Sequence, residues 1–374
     1  MMSDYQIYIE KTSCISADLF RVFVLQGGNV VSIYAHVSED KHQRIYLGKV
    51  NQTFQNNKAK IKITNKDDVY TERAFKEHNI NVGEEVWVQT KSVSPSEMDY
   101  KEYKGTLNIA LPLGPIILYP FDSGIHISKR LKQYPEFANS LKHHFQKFSG
   151  AFGIKFRLSA KNYTFQQLEK IISFLKHIWL KGQYNHLGFL ITSSLVDYFL
   201  SSVEVFTNDI SIKNWLTESV KFIFAKVPKV NKLQEGDENL EDAWDLACRK
   251  VINLPKGGSL FINETPACVV IDVNAGAETY YEQVNKEVVK LLPEFLYQGR
   301  FGGKFVVDLL PIHKREEAVE LINIFNNACH AKDISIQSFG ISKMGLLEFI
   351  IPRRGYPLWW IDKKFIKTKI VLDK

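Results

Sequence analysis

An apolar strand ending in an acid, then a helix, then a second apolar strand ending in an acid: no other pattern restricts this chain's fold as strongly. The first strand is VVIDVNAG (269–276) and the second lies in GGKFVVDLL (302–310). Between them Val284, Val288, Leu291, Leu292 and Phe295 recur at helical spacing. A strand–helix–strand crossover makes the two strands parallel and lays the helix over one face of their sheet. GGSLFIN precedes this unit. A second helix over 315–330 (Val319, Ile322, Phe325, Ala328) and the strands SIQSFGIS and LLEFIIP follow it. The carboxyl-terminal third therefore reads as an α/β unit.

Asp272 and Asn274 are two apart on their strand, so their side chains leave the same face. Asp308 ends the run FVVD. If the strands are neighbours, both acids emerge at one sheet edge, where α/β folds place their ligands. Adjacent strands lie roughly 4.8 Å apart, within reach of a shared ion. Two carboxylates and an amide carbonyl, completed by water, suit Mg²⁺, with Mn²⁺ as a substitute. Such an ion lowers the pKa of a bound water and offsets charge on a scissile phosphate. An aspartate at a strand end is also a common turn or capping residue. Spacing alone allows both readings.

The amino-terminal part is built differently. YQIYIE, LFRVFVLQ and NVVSIYAHV alternate as strands, with a turn at Gly27-Gly28. From Arg44 the strands RIYLGKV, KAKIKIT, NVGEEVWVQTKS, KGTLNIALPL and PIILY suggest a small barrel of the OB type. In the second of these Lys58, Lys60 and Lys62 alternate with Ala59, Ile61 and Ile63, giving one basic face and one apolar face. OB barrels bind single strands through a basic groove with stacking aromatics, although a charged stripe can also be plain solvated surface. Residues 162–181 read as an amphipathic helix and 190–253 as mainly helical.

A chain of 374 residues exceeds one ordinary core, so two or more folded units are expected. Lys plus Arg number 48 against 41 acids, a net charge of +7 that agrees with a polyanionic partner without requiring one. Cys14, Cys248, Cys268 and Cys329 show no CxxC spacing, which argues against a disulfide framework and a zinc knuckle. The first residues, MMSDYQIYIEK, lack a signal-peptide apolar region. The longest apolar stretch, 110–121, is broken by Pro112, Pro115 and Pro120 and is too short to span a bilayer. A cytoplasmic location is expected.

Taken together, LPKGGSLFINETPACVVIDVNAG (254–276), VNKEVVKLL (284–292), GGKFVVDLL (302–310) and ISKMGLLEF (341–349) resemble the ribonuclease E/G family of bacterial endoribonucleases. They follow, in order, that family's LPSGGSIVID, TEA and TAIDIN, TNLEAA, GGIIVIDFIDM and ISRFGLLE blocks. Upstream, RVFVL, GNVVSIYAH and RIYLGKV resemble its opening segment and entry into an S1 domain. ISKRL (127–131) and GIKFRLSA (153–160) resemble its 5′-sensor region. The resemblance implies an interrupted RNase H-like domain (1–40 and 196–253) with an inserted S1 (OB-type) barrel (41–119) and a 5′-sensor region (120–195). A DNase I-like α/β catalytic domain (254–374) would follow. It further implies Mg²⁺-dependent cleavage of single-stranded, A/U-rich RNA in RNA processing, ribosomal RNA included, or decay, leaving a 5′-phosphate and a 3′-hydroxyl. Asp272 and Asp308 become the metal ligands, Asn274 a supporting catalytic residue, and Tyr70, Lys104, Arg157 and Lys343 the RNA contacts. Asn285 and Glu287 match the family's NLE.

The departures are specific. Pro311 replaces the second acid of DFIDM, and Asn263 and Pro266 replace the acids of IDxTEA. Leu158 follows Arg157 where the family has threonine, and Ile61 stands where the S1 domain usually has a stacking aromatic. No CPxCxG element follows, so a zinc-linked tetramer is not expected and a homodimer or monomer is. The lost acids also motivate a second reading, a catalytically impaired RNA-binding protein. A third is a barrel that docks proteins.

Overall fold

The computed structural model describes residues 5–13, 17–38, 40–55, 58–64, 67–71, 80–91, 103–226, 228–233, 237–277, 280–331, 334–353 and 355–367. They form two compact units, one reaching residue 236 and the other beginning at Asp237.

The first unit contains two sheets and a barrel. Strands β1 (Tyr5–Ser13), β2 (Asp18–Gln26) and β3 (Asn29–Val37) form an antiparallel meander. Gln26 pairs with Asn29, leaving Gly27 and Gly28 as a two-residue loop with φ of 58° and 82°. A tight hairpin of this kind needs positive φ at both positions, which glycine adopts without a Cβ clash. The barrel follows: β4 (Ile45–Phe54), β5 (Lys58–Lys62), β6 (Asp68–Thr71), β7 (Glu85–Thr90) and β8 (Tyr103–Thr106), closed in the order β4-β5-β6-β8-β7. Val50, Ala59, Ile61, Val69, Val88 and Leu107 fill it. A closed five-stranded barrel is compatible with an OB or S1 fold.

Two strand assignments change. The segment 68–71, too short and charge-flanked to show a period, supplies a barrel strand. PIILY does not. It becomes β10 (Ile116–Tyr119), pairing with β9 (Leu111–Leu113) and β12 (Gly153–Phe156), with β11 (Gly124–Ile127) beyond. Helices α1 (Pro135–Ser149) and α2 (Phe165–Leu180) share the core of this sheet. A Thr164–Gln167 capping box starts α2, and Leu168, Ile171, Ile172, Leu175 and Ile178 are its buried stripe, as the spacing predicts.

The stretch read as mainly helical also holds three strands, the last of them at 251–253. After α3 (Leu187–Leu195), β13 (Val203–Thr207) pairs in parallel with β1. After α4 (Ile210–Phe224), β14 (Lys229–Lys232) pairs in parallel with β13. The sheet runs β14-β13-β1-β2-β3, packed against α3 and α4 through Ile191, Leu195, Leu216 and Val220. Its last two strands are contributed by residues far along the chain, and short segments held by such pairing carry little periodic signal of their own.

The second unit begins with α5 (Glu238–Ala247) and strands β15 (Val251–Asn253), β16 (Ser259–Glu264) and β17 (Val269–Asn274). Then come α6 (Tyr281–Gln298), β18 (Gly303–Asp308), α7 (Arg315–Ala331), β19 (Gln337–Ile341), β20 (Leu346–Ile351) and the short α8 (Leu358–Ile361). The six strands lie in the order β15-β16-β17-β18-β20-β19, and β17 and β18 are parallel, as the crossover predicts. Leu260, Ile262, Ile271, Phe305, Val307, Leu347 and Phe349 point from one face into a core shared with Val288, Leu292 and Phe325 of the helices. Trp359 packs on this core and donates its indole N–H to Glu264 at 3.0 Å. Among the described residues, no helix is long and apolar enough to cross a membrane. The tail beyond residue 367 and the residue Cys14 lie outside the described residues.

Candidate active site

With Ile271 and Val307 turned into the core, pleating sends their neighbours to the opposite face. There Asp272 and Asp308 are register partners on the parallel pair. Phe261 lies across from Asp272 on β16 and Leu346 across from Asp308 on β20. One rung, Phe261–Asp272–Asp308–Leu346, thus crosses four strands with its two acids adjacent and exposed. Among the described residues, neither carboxylate has a hydrogen bond or an ion pair. Like charges directly opposite each other on a sheet repel. A shared cation converts that repulsion into attraction.

Capping is the work of a different residue at this edge. Asn274 builds the turn: its Oδ1 accepts the N–H of Gly276 at 2.8 Å. Among the described residues, neither aspartate caps a turn or a helix. A Cβ on Gly258 (φ +85°) would lie 2.4 Å from the carbonyl oxygen of Asn274. The LPKGGS turn therefore needs glycine where it passes against the end of β17. Asn274 keeps a second lone pair on Oδ1 for a ligand while serving as a turn former.

Four connections meet at the edge where the acids emerge: 254–258 before β16, the segment beginning 275–277 after β17, 309–314 after β18, and 342–345 before β20. Lys256, Lys314 and Lys343 are exposed on them, and Tyr280 and Tyr281 are exposed where α6 begins. Lys343 sits in a turn closed by the Gly345 N–H bonding to the Ser342 carbonyl, three residues before the partner of Asp308. Glu348 shares the acid face two rungs away, opposite Val306. Spacing along the chain does not reveal it, because β20 is joined to β18 only through the sheet.

Among the described residues, no trio of His, Cys, Asp or Glu side chains is gathered closely enough to hold a metal. An ion here would rest on two carboxylates, with Asn274 and water around it. That donor set fits magnesium, which commonly binds through one or two carboxylates plus substrate phosphate and keeps several waters.

The other singled-out residues lie in the first unit. Tyr70 pairs with Lys60 on β5 and with Lys104 on β8, giving an outward rung Lys60–Tyr70–Lys104. Phe54 stacks on Tyr70 with ring centroids 5.2 Å apart. Ile61, by contrast, is wholly buried in the barrel. A ring at that position would face the core rather than a ligand, and Phe54, unremarkable in NQTFQNN, supplies one to the surface. Arg157 is exposed at the end of β12, its guanidinium donating to the Gly114 carbonyl at 3.3 Å. Nearby, Tyr163 donates to Asp197 at 2.5 Å. Burial raises the Asp197 carboxyl above its ordinary range, against the lowering pull of the Tyr163 bond and of the Arg157 charge. Leu158, in the place of threonine, packs on the apolar core. His144 bonds Glu169 at 2.7 Å.

Comparison with known proteins adds the family. The model of the ribonuclease E/G family matches residues 111–354. Ribonuclease G of Haemophilus influenzae is 23% identical over 298 residues, 72% of this chain and 59% of that protein. A ribonuclease E/G-like protein of Pyropia yezoensis is 24% identical over 288 residues, covering 68% of this chain and 55% of its own length. Ribonuclease E of a Nostoc species is 29% identical over 120 residues, 30% of this chain and 18% of that protein. The chain therefore spans less than two thirds of each of these relatives. The matched region contains every strand of the acid-bearing sheet, and with more than half the chain covered, the protein belongs to the ribonuclease E/G family.

Proposed function

We propose that this protein is a magnesium-dependent endoribonuclease acting on single-stranded, A/U-rich RNA in the cytoplasm, leaving a 5′-phosphate and a 3′-hydroxyl. The observation that carries the reading is the adjacency of Asp272 and Asp308 on one rung, exposed and without a protein partner among the described residues. Magnesium bound there would lower the pKa of a water and neutralise charge growing on the scissile phosphate. Asp272 and Asp308 hold it from two strands, and Asn274 fixes the turn beside them. Lys256, Lys314 and Lys343 offer positive charge to the flanking phosphates. In the barrel, Phe54 and Tyr70 offer ring faces to unpaired bases, while Lys60 and Lys104 meet the backbone. Stacking of this kind requires unpaired bases, which is the basis for single-strand preference.

The domain reading follows the same lines. The sheet β14-β13-β1-β2-β3, interrupted between β3 and β13, is read as RNase H-like. The barrel is read as an S1 domain and the second unit as the DNase I-like catalytic domain. A homodimer is the proposed assembly.

The test is incubation of an end-labelled A/U-rich single strand with Mg²⁺ and the native protein, Asp272→Asn or Asp308→Asn. Cleavage by the native protein alone is expected. Equal cleavage by all three would remove the assigned roles. A catalytically impaired RNA-binding protein is the second reading, favoured by Asn263 and Pro311 standing exposed where the family carries acids. It predicts salt-sensitive RNA binding with no cleavage at any Mg²⁺ concentration.

A further inference from the structure

Asn285 carries an amide into the interior of the second unit, where none of it is exposed. A buried amide that lacks partners is costly, so its bonds reveal its purpose. Its Nδ2–H donates to the carbonyl of Leu310 at 3.0 Å, and its Oδ1 accepts the N–H of Leu310 at 3.0 Å. Both backbone groups of one residue are thereby satisfied, as a residue on a neighbouring strand would satisfy them.

The location gives this pairing its meaning. The ladder of β18 ends at Asp308, flanked by Asp272 and Leu346. Leu309 and Leu310 run on beyond the last rung, and a strand end released from its ladder is where fraying begins. Asn285 takes over there. It projects from α6, which is itself fixed by Val284, Val288 and Leu292 in the core. Asp308 is thus held by the ladder on one side and, two residues later, by a helix-borne amide on the other.

We propose that Asn285 is a positioning residue for the Asp308 carboxylate, keeping it in register with Asp272 so that the pair can grip one divalent cation. This rests on the metal-site reading of the two acids. The residue type follows from the two bonds. Leucine of similar size would leave the Leu310 N–H and C=O both orphaned, and aspartate would lack the donor for the carbonyl. An ion bridging two strands is sensitive to small displacements of either ligand, which is why groups behind metal ligands matter.

The experiment compares the native chain with Asn285→Leu, Asn285→Ala and a control, Val288→Ala, which weakens the same helix by removing apolar atoms alone. Two quantities are read, neither of them activity: hydrogen exchange at the Leu310 amide, and affinity for Mn²⁺ by electron paramagnetic resonance. Both Asn285 variants should speed exchange at Leu310 about tenfold, the loss of roughly one net hydrogen bond. They should also weaken Mn²⁺ binding about tenfold or more, as changes behind metal ligands do. Val288→Ala should leave Mn²⁺ affinity close to native, with any faster exchange at Leu310 matching its loss of overall stability. If Asn285→Leu does not fold, the comparison is read from Asn285→Ala. Native-like Mn²⁺ affinity in a folded Asn285 variant would overturn the positioning role while leaving the metal site standing. Failure of the native chain to bind Mn²⁺ at all would instead remove the metal site, and this inference with it.

Discussion

Two rungs of side chains in this molecule differ in how their charges are answered. On the α/β sheet Asp272 and Asp308 stand side by side, both acidic, at the end of their strands and with no partner among the described residues. On the barrel, Lys60, Tyr70 and Lys104 alternate charge with an aromatic ring. Here Lys60 is answered by Asp68 at 3.3 Å and Tyr70 by the ring of Phe54. A rung whose charges are balanced by neighbours is a surface tuned for weak, repeated contacts. One whose charges repel is relieved by a cation, as the proposed function requires. The first geometry suits holding a strand, the second suits doing chemistry on it.

This contrast can be broken most decisively at the acids. Asp308→Asn should lower single-turnover cleavage by roughly 10³-fold, corresponding to several kcal/mol of lost transition-state stabilisation. RNA affinity should stay within a few-fold of native. A parallel loss of binding would mean that the rung serves the fold rather than the reaction. Next in size is Ile61→Ala, which empties part of the barrel interior and should cost about 3 kcal/mol in thermal or denaturant unfolding. A negligible cost would contradict the assignment of Ile61 to the core side of the barrel.

A smaller effect is expected from Tyr70→Ala. Removing one stacking ring should weaken binding of a short single strand by about 2 kcal/mol, with kcat unchanged. Loss of kcat without loss of affinity would place Tyr70 in the reaction and blur the division between the rungs. The smallest effect belongs to Lys104→Ala, which should reduce the slope of log affinity against log salt by about 1 if it meets one phosphate. An unchanged slope would remove Lys104 from the interface.

What is legible in the sequence depends on how local each cause is. The acids are legible because strand alternation and a helical repeat are properties of contiguous residues, and together they fix which ends of β17 and β18 coincide. The α2 stripe is legible for the same reason, with the Thr164–Gln167 cap marking where it starts. Phe54 is not, because its value lies in Tyr70 being next to it across the barrel. Glu348 is not, because β20 reaches β18 by sheet pairing. The strands at 203–207 and 229–232 hide in a stretch with helical character. The first pairs with β1 near the start of the chain, and the second pairs with the first. The turn-forming use of Asn274 depends on the approach of Gly258, which no spacing along β17 encodes.

The parallel pairing of β1 with β13 has a consequence in time as well as in space. Tyr5 meets Val203 only after everything between them exists. At ordinary rates of synthesis that interval is roughly 10–40 s. During it the meander β1–β3 presents an unpaired strand edge, a site that invites pairing with another chain. Sheets closed by such distant partners form slowly even once all their parts are present. Misassembly of nascent chains should therefore start at this edge, and the barrel and the segments up to β12, which are translated in the interval, can fold while it waits.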